Sequence, residues 1–201
     1  MAENITLETI RKPQIVDATI RKIAEVGFHN VTMEDIAKEA GLSKGGVAHY
    51  FSSKESLFKE AFKVYFDRIF QRGKDTMDQC DSPLDKLLSY IWLYNGDDPD
   101  LNIGYPLHFD CMALASRDEG YRIIFHEWVN GWIDLLGEAL EEGIRSGIYV
   151  ISDIRGVARA ISAIYHGIAV RWFLDPESHS PEWAVRSLVS AITHLMSEYK
   201  M

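Results

Sequence analysis

The chain has 201 residues, of which 47% are hydrophobic and 25% are charged. This composition is typical of a folded globular protein and excludes a disordered tail, a collagen-like repeat and a disulfide-stapled miniprotein. The formal net charge of −9 is unevenly distributed, because residues 1–60 carry 8 basic and 9 acidic side chains whereas residues 61–201 carry 13 and 21. The acidic total therefore does not exclude nucleic acid as a partner of the first 60 residues.

Cysteine content and hydropathy predict the compartment. The chain has two cysteines, too few for a disulfide framework, and its first residues, MAENITLETIRK, lack a charged-then-apolar leader pattern. We therefore expect a cytoplasmic protein. No run approaches the ~18 consecutive apolar residues of a membrane-spanning helix, so we expect no membrane partner.

Helix start and stop signals recur along the chain and strand signals are nearly absent, so the sequence predicts an all-α fold. Thr32–Asp35 and Ser52–Glu55 have the pattern of capping boxes, and Ser82 and Ser180 each precede a proline. Three glycines close apolar-periodic runs, at Gly27, Gly41 and Gly147. The predicted helices cover about residues 10–27, 33–40, 44–50, 53–74, 83–95, 101–116, 119–146, 152–174 and 181–199.

Two short predicted helices carry the most informative pattern. Met33–Ala40 is amphipathic, the turn Gly41-Leu42-Ser43 follows it, and the next helix begins at Lys44. Two helices joined by a three-residue turn that contains glycine are typical of the helix-turn-helix unit, whose second helix enters the DNA major groove. The sequence therefore predicts a DNA-binding element within the first 60 residues.

The run TMEDIAKEAGLSKGGVAHYFSSKESLF, residues 32–58, resembles the DNA-binding signature of TetR-type bacterial transcriptional regulators, and the similarity covers about residues 11–60. The resemblance implies a three-helix helix-turn-helix DNA-binding domain over residues 1–53. A helical ligand-binding and dimerisation domain would follow over residues 54–201. The segment Ile164–Trp172 is faintly similar to the BetI-type subgroup.

The resemblance also implies which residues contact DNA. The hydroxyl of Thr32 and the amide at Met33 face a phosphate, which fits the positive end of a helix dipole. Tyr50 and Lys54 contact the DNA backbone. The groove-facing positions of the recognition helix are Lys44, Gly45, Gly46, Ala48 and His49.

The recognition helix departs from many relatives at Gly46-Val47-Ala48, where a larger residue followed by Leu-Tyr is common. Two glycines and an alanine leave few side chains to read bases, and each glycine costs about 1 kcal/mol of helix propensity relative to alanine. Two explanations remain open. Either a lean helix lets its backbone approach the DNA closely, or specificity depends on Lys44, His49 and DNA shape.

Aromatic side chains are concentrated between residues 90 and 172. Each one alone fits core packing, but together with His108, His126 and His166, which we expect to face the interior, they indicate an apolar small-molecule pocket. The residues predicted to line it are Trp92, Tyr105, His108, Phe109, Met112, Trp128, Trp132 and His166. His108 and Cys111, with His126 as a third candidate ligand, have a permissive but unspecific metal spacing, so we predict no metal site and no cofactor.

The last two predicted helices favour a homodimer. Small residues recur between residues 152 and 174, which lets another helix approach closely, and the resemblance implies that both helices pack against their copies as a four-helix bundle. A purely intramolecular core remains the alternative for the first of them. The predicted interface residues are Ile161, Ile164, Gly167, Ile168, Leu188, Ile192 and Leu195.

These patterns together predict a homodimeric transcriptional repressor that a small-molecule effector releases from a palindromic double-stranded DNA operator. Two alternatives remain open: an effector-independent DNA-binding or structural protein, and a metal-sensing regulator. The sequence has no P-loop, no H-E-x-x-H motif and no strand-associated G-x-G-x-x-G motif, so we do not expect an enzyme.

Overall fold

A computed structural model describes residues 7–201. The regular secondary structure within this range consists of α-helices and one 3₁₀ helix over Ser89–Tyr94, with an isolated bridge between Tyr149 and Lys200. The α-helices are α1 Leu7–Val26, α2 Met33–Glu39, α3 Lys44–Tyr50, α4 Lys54–Asp78, α5 Pro83–Leu88, α6 Pro99–Ala115, α7 Glu119–Arg145, α8 Ile154–Leu174 and α9 Pro181–Ser197. The all-α class is confirmed. No helix in the described range has both the length and the apolarity to cross a bilayer.

Two predicted helix boundaries differ from the structure. The helix expected over residues 83–95 divides into α5 and the 3₁₀ helix, because Tyr90 leaves helical geometry with φ −90° and ψ +19°. Ser53, rather than Ser52, caps α4: its hydroxyl accepts a hydrogen bond from the Ser56 amide at 3.0 Å. The Ser56 hydroxyl in turn accepts from the Ser53 amide, which replaces the expected acidic partner.

The described residues divide into two compact units. The first contains the chain through Arg68 together with Pro99–His126, and the second contains Ile69–Asp98 together with Glu127–Met201. Helices α4 and α7 each contribute residues to both units. The functional division predicted between residues 53 and 54 remains a prediction.

In the first unit, α1 packs against α2 and α6. Gly27, which follows α1, has a φ of +80° that reverses the chain, and the following Phe28 amide donates a hydrogen bond to the Asp110 carboxylate at 2.9 Å. The Gln14 side-chain amide donates to the Ala40 carbonyl at 2.6 Å. The second of these bonds holds the end of α2 against α1, just before the turn that leads into α3, and the first holds the segment after α1 against α6.

In the second unit, α8 packs against α9, and Ile161, Leu188 and Ile192 are fully buried between them and their neighbours. Burying an apolar side chain of this size contributes about 1.5–3 kcal/mol. Two buried tyrosines add hydrogen bonds to this core. The Tyr165 hydroxyl donates to the Leu87 carbonyl at 2.8 Å, and the Tyr94 hydroxyl donates to the Tyr165 carbonyl at 3.2 Å.

Candidate nucleic-acid interface and aromatic cluster

The predicted capping box begins α2. The Thr32 hydroxyl accepts a hydrogen bond from the Asp35 amide at 3.2 Å, and the Asp35 carboxylate accepts from the Thr32 amide at 2.9 Å. Hydrogen bonds from the Thr32 hydroxyl and amide lower the pKa of Asp35, so this carboxylate stays ionised. Thr32 is exposed and Met33 is half-buried. A phosphate at this position would therefore approach the Met33 amide beside an acidic side chain.

The turn between α2 and α3 depends on one glycine. Gly41 has a φ of +64°, a conformation that side chains rarely adopt, although a Cβ there would have open space around it. The Ser43 hydroxyl accepts from the Gly46 amide at 3.0 Å and caps α3. The run Gly41–Gly45 has the letters of a G-x-S-x-G motif, but it connects two helices and its serine serves as a cap, so it is not a nucleophile elbow.

Helix α3 has a single buried side chain, Val47, which is 0% exposed and anchors the helix to the first unit. The predicted groove-facing residues Lys44, Gly45, Ala48 and His49 are exposed, whereas Gly46 is half-buried. The structure therefore presents four of the five positions on one outward surface. Gly45 and Ala48 add little side-chain volume between Lys44 and His49, which suits close approach to a groove.

Lys44 is paired within the chain. Its Nζ lies 2.5 Å from the Glu34 carboxylate, with side-chain exposures of 62% and 63%, and this contact lowers the pKa of Glu34. Ion pairs this exposed contribute little to stability. Lys44 can therefore exchange Glu34 for a DNA acceptor at small cost.

The two glycines of α3 are not required by the protein around them. Both have ordinary helical φ, and a Cβ would meet its nearest atom, the Ser43 hydroxyl, at 3.9 Å from Gly45 and 3.4 Å from Gly46. These are ordinary van der Waals distances. Each glycine lowers the stability of α3 by about 1 kcal/mol relative to alanine, and packing around the helix does not explain why glycine is present.

Tyr50 is the last residue of α3 and Lys54 is the first residue of α4, and both are half-buried. The Lys54 Nζ lies 5.0 Å from the Phe58 ring centre and 5.9 Å from the Phe28 ring centre, so two aromatic faces hold the cation in place. The Tyr50 ring packs edge-on against His49 at 5.0 Å. A positioned cation and a phenol next to the exposed face are suited to binding phosphates.

Half of the predicted pocket residues lie in the second unit, and three of these four, Trp128, Trp132 and His166, are joined by ring contacts. The Trp132 ring, 7% exposed, contacts Phe70 at 5.5 Å, Tyr90 at 4.8 Å and Trp128 at 6.1 Å. Trp128 also contacts His166 at 5.4 Å, and burial lowers the pKa of His166. The indole Nε1 atoms of Trp132 and of Trp92, the fourth predicted residue in this unit, are buried without a hydrogen-bond partner. We call Trp92, Trp128, Trp132 and His166 the aromatic cluster.

The other predicted pocket residues lie in the first unit. Tyr105 and His108 are buried, and Phe109 packs on both at 6.2 and 5.8 Å. Met112 was expected to line a pocket, but it is 37% exposed because it faces outward from α6. His126 was expected to face the interior and is also exposed, since its position on α7 points away from the packed face.

The metal-binding alternative has no further ligand in the structure. Residues 7–201 contain no group of three or more histidine, cysteine, aspartate or glutamate side chains placed to hold an ion. Burial raises the pKa of the Cys111 thiol to about 12.

The predicted dimer residues differ in exposure. Ile161, Leu188 and Ile192 are 0% exposed within one chain, so their assignment to a surface between copies is wrong: they belong to the chain's own core. Gly167 is exposed, with no atom within 4 Å of an added Cβ. The residues that retain partial exposure are Ile164, Ile168 and Leu195.

The sequence does not predict one ion pair of the second unit, in which the acidic partner is buried. Arg72 of α4 bonds to Asp98, which is 9% exposed, and its guanidinium carbon lies 4.1 Å from the Trp92 ring centre. The signal available in the sequence was Asp98-Pro99, the same cap-then-proline pattern as Ser82-Pro83. It marks a helix start but gives no information about Arg72, which lies 26 residues earlier.

Two family models match the chain. Residues 15–61 match the model of bacterial regulatory proteins of the tetR family, and residues 105–197 match the model of the BetI-type transcriptional repressor C-terminal region. The helix-turn-helix-type transcriptional regulator PksA of Bacillus subtilis is 38% identical over 166 residues, which cover 83% of this chain and 80% of that protein.

Solved structures share the fold. A TetR-family regulator from Cytophaga hutchinsonii superposes with a TM-score of 0.86 at 17% identity, covering 99% of each chain. A transcriptional regulator from Saccharomonospora viridis, solved in complex with choline, has a TM-score of 0.81 at 20% identity, covering 91% of this chain and 95% of the other. From its helix-turn-helix to its last helices, the chain belongs to the TetR family of bacterial transcriptional regulators, with a C-terminal region of the BetI type.

Proposed function

We propose that this regulator is a homodimeric repressor that binds a palindromic operator and is released by a small-molecule effector. The outer face of α3 carries the DNA-binding part of the proposal, because Lys44, Gly45, Ala48 and His49 are exposed there while Val47 anchors the helix. A face of this kind fits the DNA major groove, which is about 12 Å wide. Lys44 and His49 are the side chains proposed to read base edges.

The flanking positions supply the proposed backbone contacts. Lys54, held between two aromatic rings, and Tyr50 bind phosphates on one side of α3. The Met33 amide, at the positive end of α2, binds a phosphate on the other side, with Thr32 at its edge. Gly46, half-buried at the edge of the exposed face, lets the helix backbone approach the DNA closely.

A mobility-shift titration tests the DNA-binding role. The probe is the duplex that precedes the protein's own coding sequence, and the control is the same duplex with its base order shuffled. We expect a complex with the first probe at least about 10³ times tighter than with the second, weakening steeply as salt rises. Equal affinity for both probes would mean that the protein binds DNA without sequence preference, which would contradict the repressor assignment.

The proposed dimer uses the exposed side of α8 and α9. Gly167 gives a second helix room to approach, and Ile164, Ile168 and Leu195 supply partly exposed apolar surface beside it. Two-fold pairing would place two copies of α3 about one DNA turn, ~34 Å, apart.

Gly167→Glu tests the dimer with little disturbance of the fold, since Gly167 is exposed and a Cβ there has open space around it. In analytical ultracentrifugation we expect a wild-type dimer of the 22.9 kDa chain and a monomeric Gly167→Glu variant with unchanged helical content. Gly167→Ala is the matched control and stays dimeric. Leu188→Glu is unsuitable, because it would bury a charge in the core of one chain. A monomeric wild type would contradict the proposal.

The effector part of the proposal rests on the aromatic cluster, which combines apolar walls with a few polar atoms. Tryptophan fluorescence reports binding there directly, and choline is a first probe because a structural neighbour binds it.

Thermodynamic linkage makes the effect of effector and operator on each other reciprocal. If an effector lowers the affinity for operator by a given factor, operator must lower the affinity for that effector by the same factor. Equal effector affinity with and without operator would exclude that compound as an inducer. If no compound alters the operator complex, the effector-independent alternative is the better description.

A further inference from the structure

Glu34 brings a carboxylate to the outer surface of the helix-turn-helix, beside the proposed base-reading residue Lys44. Glu34 lies in the first turn of α2, and Lys44 is the first residue of α3. The Lys44 Nζ donates a hydrogen bond to the Glu34 Oε1 atom at 2.5 Å, and both side chains are exposed. An acidic group therefore lies at the edge of a surface proposed to bind a polyanion.

The turn between α2 and α3 does not need this ion pair to hold its shape. The Leu42 amide donates to the Ala37 carbonyl at 2.8 Å, and the Ser43 hydroxyl accepts from the Gly46 amide at 3.0 Å. An ion pair as exposed as that of Lys44 and Glu34 contributes little to stability. The pair is therefore held in place by the backbone on either side of the turn, with its polar atoms facing outward.

An ion pair is poorly suited to a phosphate but well suited to the edge of a base pair. The carboxylate repels a phosphate and so offsets the attraction of the ammonium. In the major groove, a G·C pair presents the acceptors guanine N7 and O6 beside the donor cytosine N4. Guanine O6 and cytosine N4 are joined by a hydrogen bond of about 2.9 Å, similar to the 2.5 Å between the Lys44 Nζ and the Glu34 Oε1.

Both side chains can contact bases while they remain paired with each other. An ammonium has three N–H donors, so one can bond to Glu34 while the others bond to guanine O6 and N7. A carboxylate accepts about four hydrogen bonds, which leaves capacity for the cytosine amino group beside the Lys44 contact.

We propose that Lys44 and Glu34 read one G·C base pair as a unit, in which Lys44 donates to guanine and Glu34 accepts from the cytosine N4 amino group. This inference rests on the proposed function, because it requires α3 to lie in the major groove of an operator. Glu34 then determines specificity together with Lys44 and does not merely compete with DNA for the ammonium.

The proposal fixes an order of preference at this position. The inverted C·G pair should bind worst, because it places the cytosine donor against the ammonium and the guanine acceptors against the carboxylate. A T·A pair with thymine in the place of guanine should be intermediate. It retains thymine O4 for Lys44 and adenine N6 for Glu34, but it brings the adenine N7 acceptor towards the carboxylate.

Glu34→Gln tests the proposal, because glutamine keeps the length of the side chain and removes its charge. Competition mobility shifts use the duplex that precedes the coding sequence and variants of it in which each base pair is inverted in turn. Lys44→Ala identifies the position that Lys44 reads. At that position Glu34→Gln should lower the discrimination against the inverted pair by about tenfold, and at other positions it should change nothing.

Two comparisons separate base reading from general electrostatics. Glu25→Gln is the matched control, since Glu25 of α1 is 61% exposed and its carboxylate also lies 2.5 Å from a lysine, Lys22. It should leave discrimination unchanged at every position. The double variant of Glu34→Gln and Lys44→Ala should lose less discrimination than the sum of the two single variants, because each substitution alone already breaks the same unit.

The proposal is overturned if Glu34→Gln tightens binding to every duplex equally and keeps the penalty for the inverted pair, which would mean that Lys44 releases Glu34 on binding DNA. Additive effects of the two substitutions would overturn it as well. If Glu34→Gln melts below the wild-type temperature, Glu34→Ala replaces it and must show the same loss at the same position. A wild type that does not prefer its operator to the shuffled duplex would refute the proposed function. Retained discrimination by Glu34→Gln, when the wild type does prefer its operator, would refute this inference alone.

Discussion

The recognition helix and the aromatic cluster differ in how their residues are held. Helix α3 is seven residues long, is capped by its own neighbour Ser43, and buries one side chain, Val47. Trp132, in contrast, packs against Phe70 of α4, Tyr90 of the 3₁₀ helix and Trp128 of its own helix α7. The groups proposed to read DNA therefore lie outside the packing, whereas the groups proposed to bind a small ligand are themselves part of the core.

This difference has a consequence for mutation. Substitutions on the outer face of α3 should change binding while leaving stability nearly unchanged, because surface side chains contribute little to the free energy of unfolding. Substitutions in the aromatic cluster should change stability and ligand binding together. The following predictions test this separation.

Gly73→Ala should have the largest effect, and it should act on stability. A Cβ at Gly73 would lie 2.3 Å from Cη2 of Trp132, so the ring must move out of a packed core. We expect the free energy of unfolding to fall by about 2 kcal/mol, which corresponds to roughly 4–8 °C in melting temperature. Gly45→Ala is the matched control, with 3.9 Å of clearance, and should not destabilise the protein. A melting temperature equal to that of wild type would show that Trp132 is loosely held.

Lys44→Ala should change sequence preference. Lysine can donate to guanine O6 and N7, and such a contact contributes about 1–3 kcal/mol of discrimination between bases. Competition binding with operators substituted one base at a time should show discrimination reduced at one position per half-site, at an unchanged melting temperature. The exposed pair with Glu34 predicts that little stability is lost. Uniform weakening across all operators would instead identify Lys44 as a phosphate contact.

Lys54→Ala should weaken binding to every DNA sequence by about tenfold and reduce the slope of log affinity against log salt by about 1, because one phosphate contact is lost. Fluorescence anisotropy at three salt concentrations measures both quantities. Lys63→Ala, an exposed lysine further along α4, is the control and should change neither. An unchanged salt slope in Lys54→Ala would mean that Lys54 serves only to pack on Phe58 and Phe28.

Gly46→Ala should have the smallest effect and should act in two opposite directions. Its Cβ would find ordinary contacts at 3.4 and 3.6 Å, so helix propensity should raise the free energy of unfolding by about 1 kcal/mol, or roughly 2–4 °C. We expect operator affinity to fall at the same time, because the added methyl group keeps the helix backbone away from the groove. Unchanged affinity would favour the other explanation, in which Lys44, His49 and DNA shape supply the specificity.

How well the sequence predicts each region depends on whether its contacts join residues that are close together or far apart in the chain. The capping box at Thr32, the turn at Gly41 and the family resemblance all depend on residues within a few positions of one another, so the sequence predicts them correctly. The 3₁₀ segment was predicted as continuous helix, since its kink at Tyr90 depends on tertiary packing. Leu188 and Ile192 were assigned to a dimer surface because an apolar stripe does not reveal which of two partners covers it. The pair of Arg72 with Asp98 connects distant positions, and no local pattern predicts it.

The central claim, that the exposed face of α3 reads a two-fold operator, is tested most directly by in vitro selection from random DNA duplexes. With the wild-type protein, the account predicts enrichment of an inverted repeat whose half-sites lie about one helical turn apart. Selection with Lys44→Ala should yield the same spacing with reduced base preference at one position of each half-site. Enrichment of no motif would contradict the assignment of α3 as the reading element, and an identical motif with both proteins would contradict the role of Lys44 in reading bases.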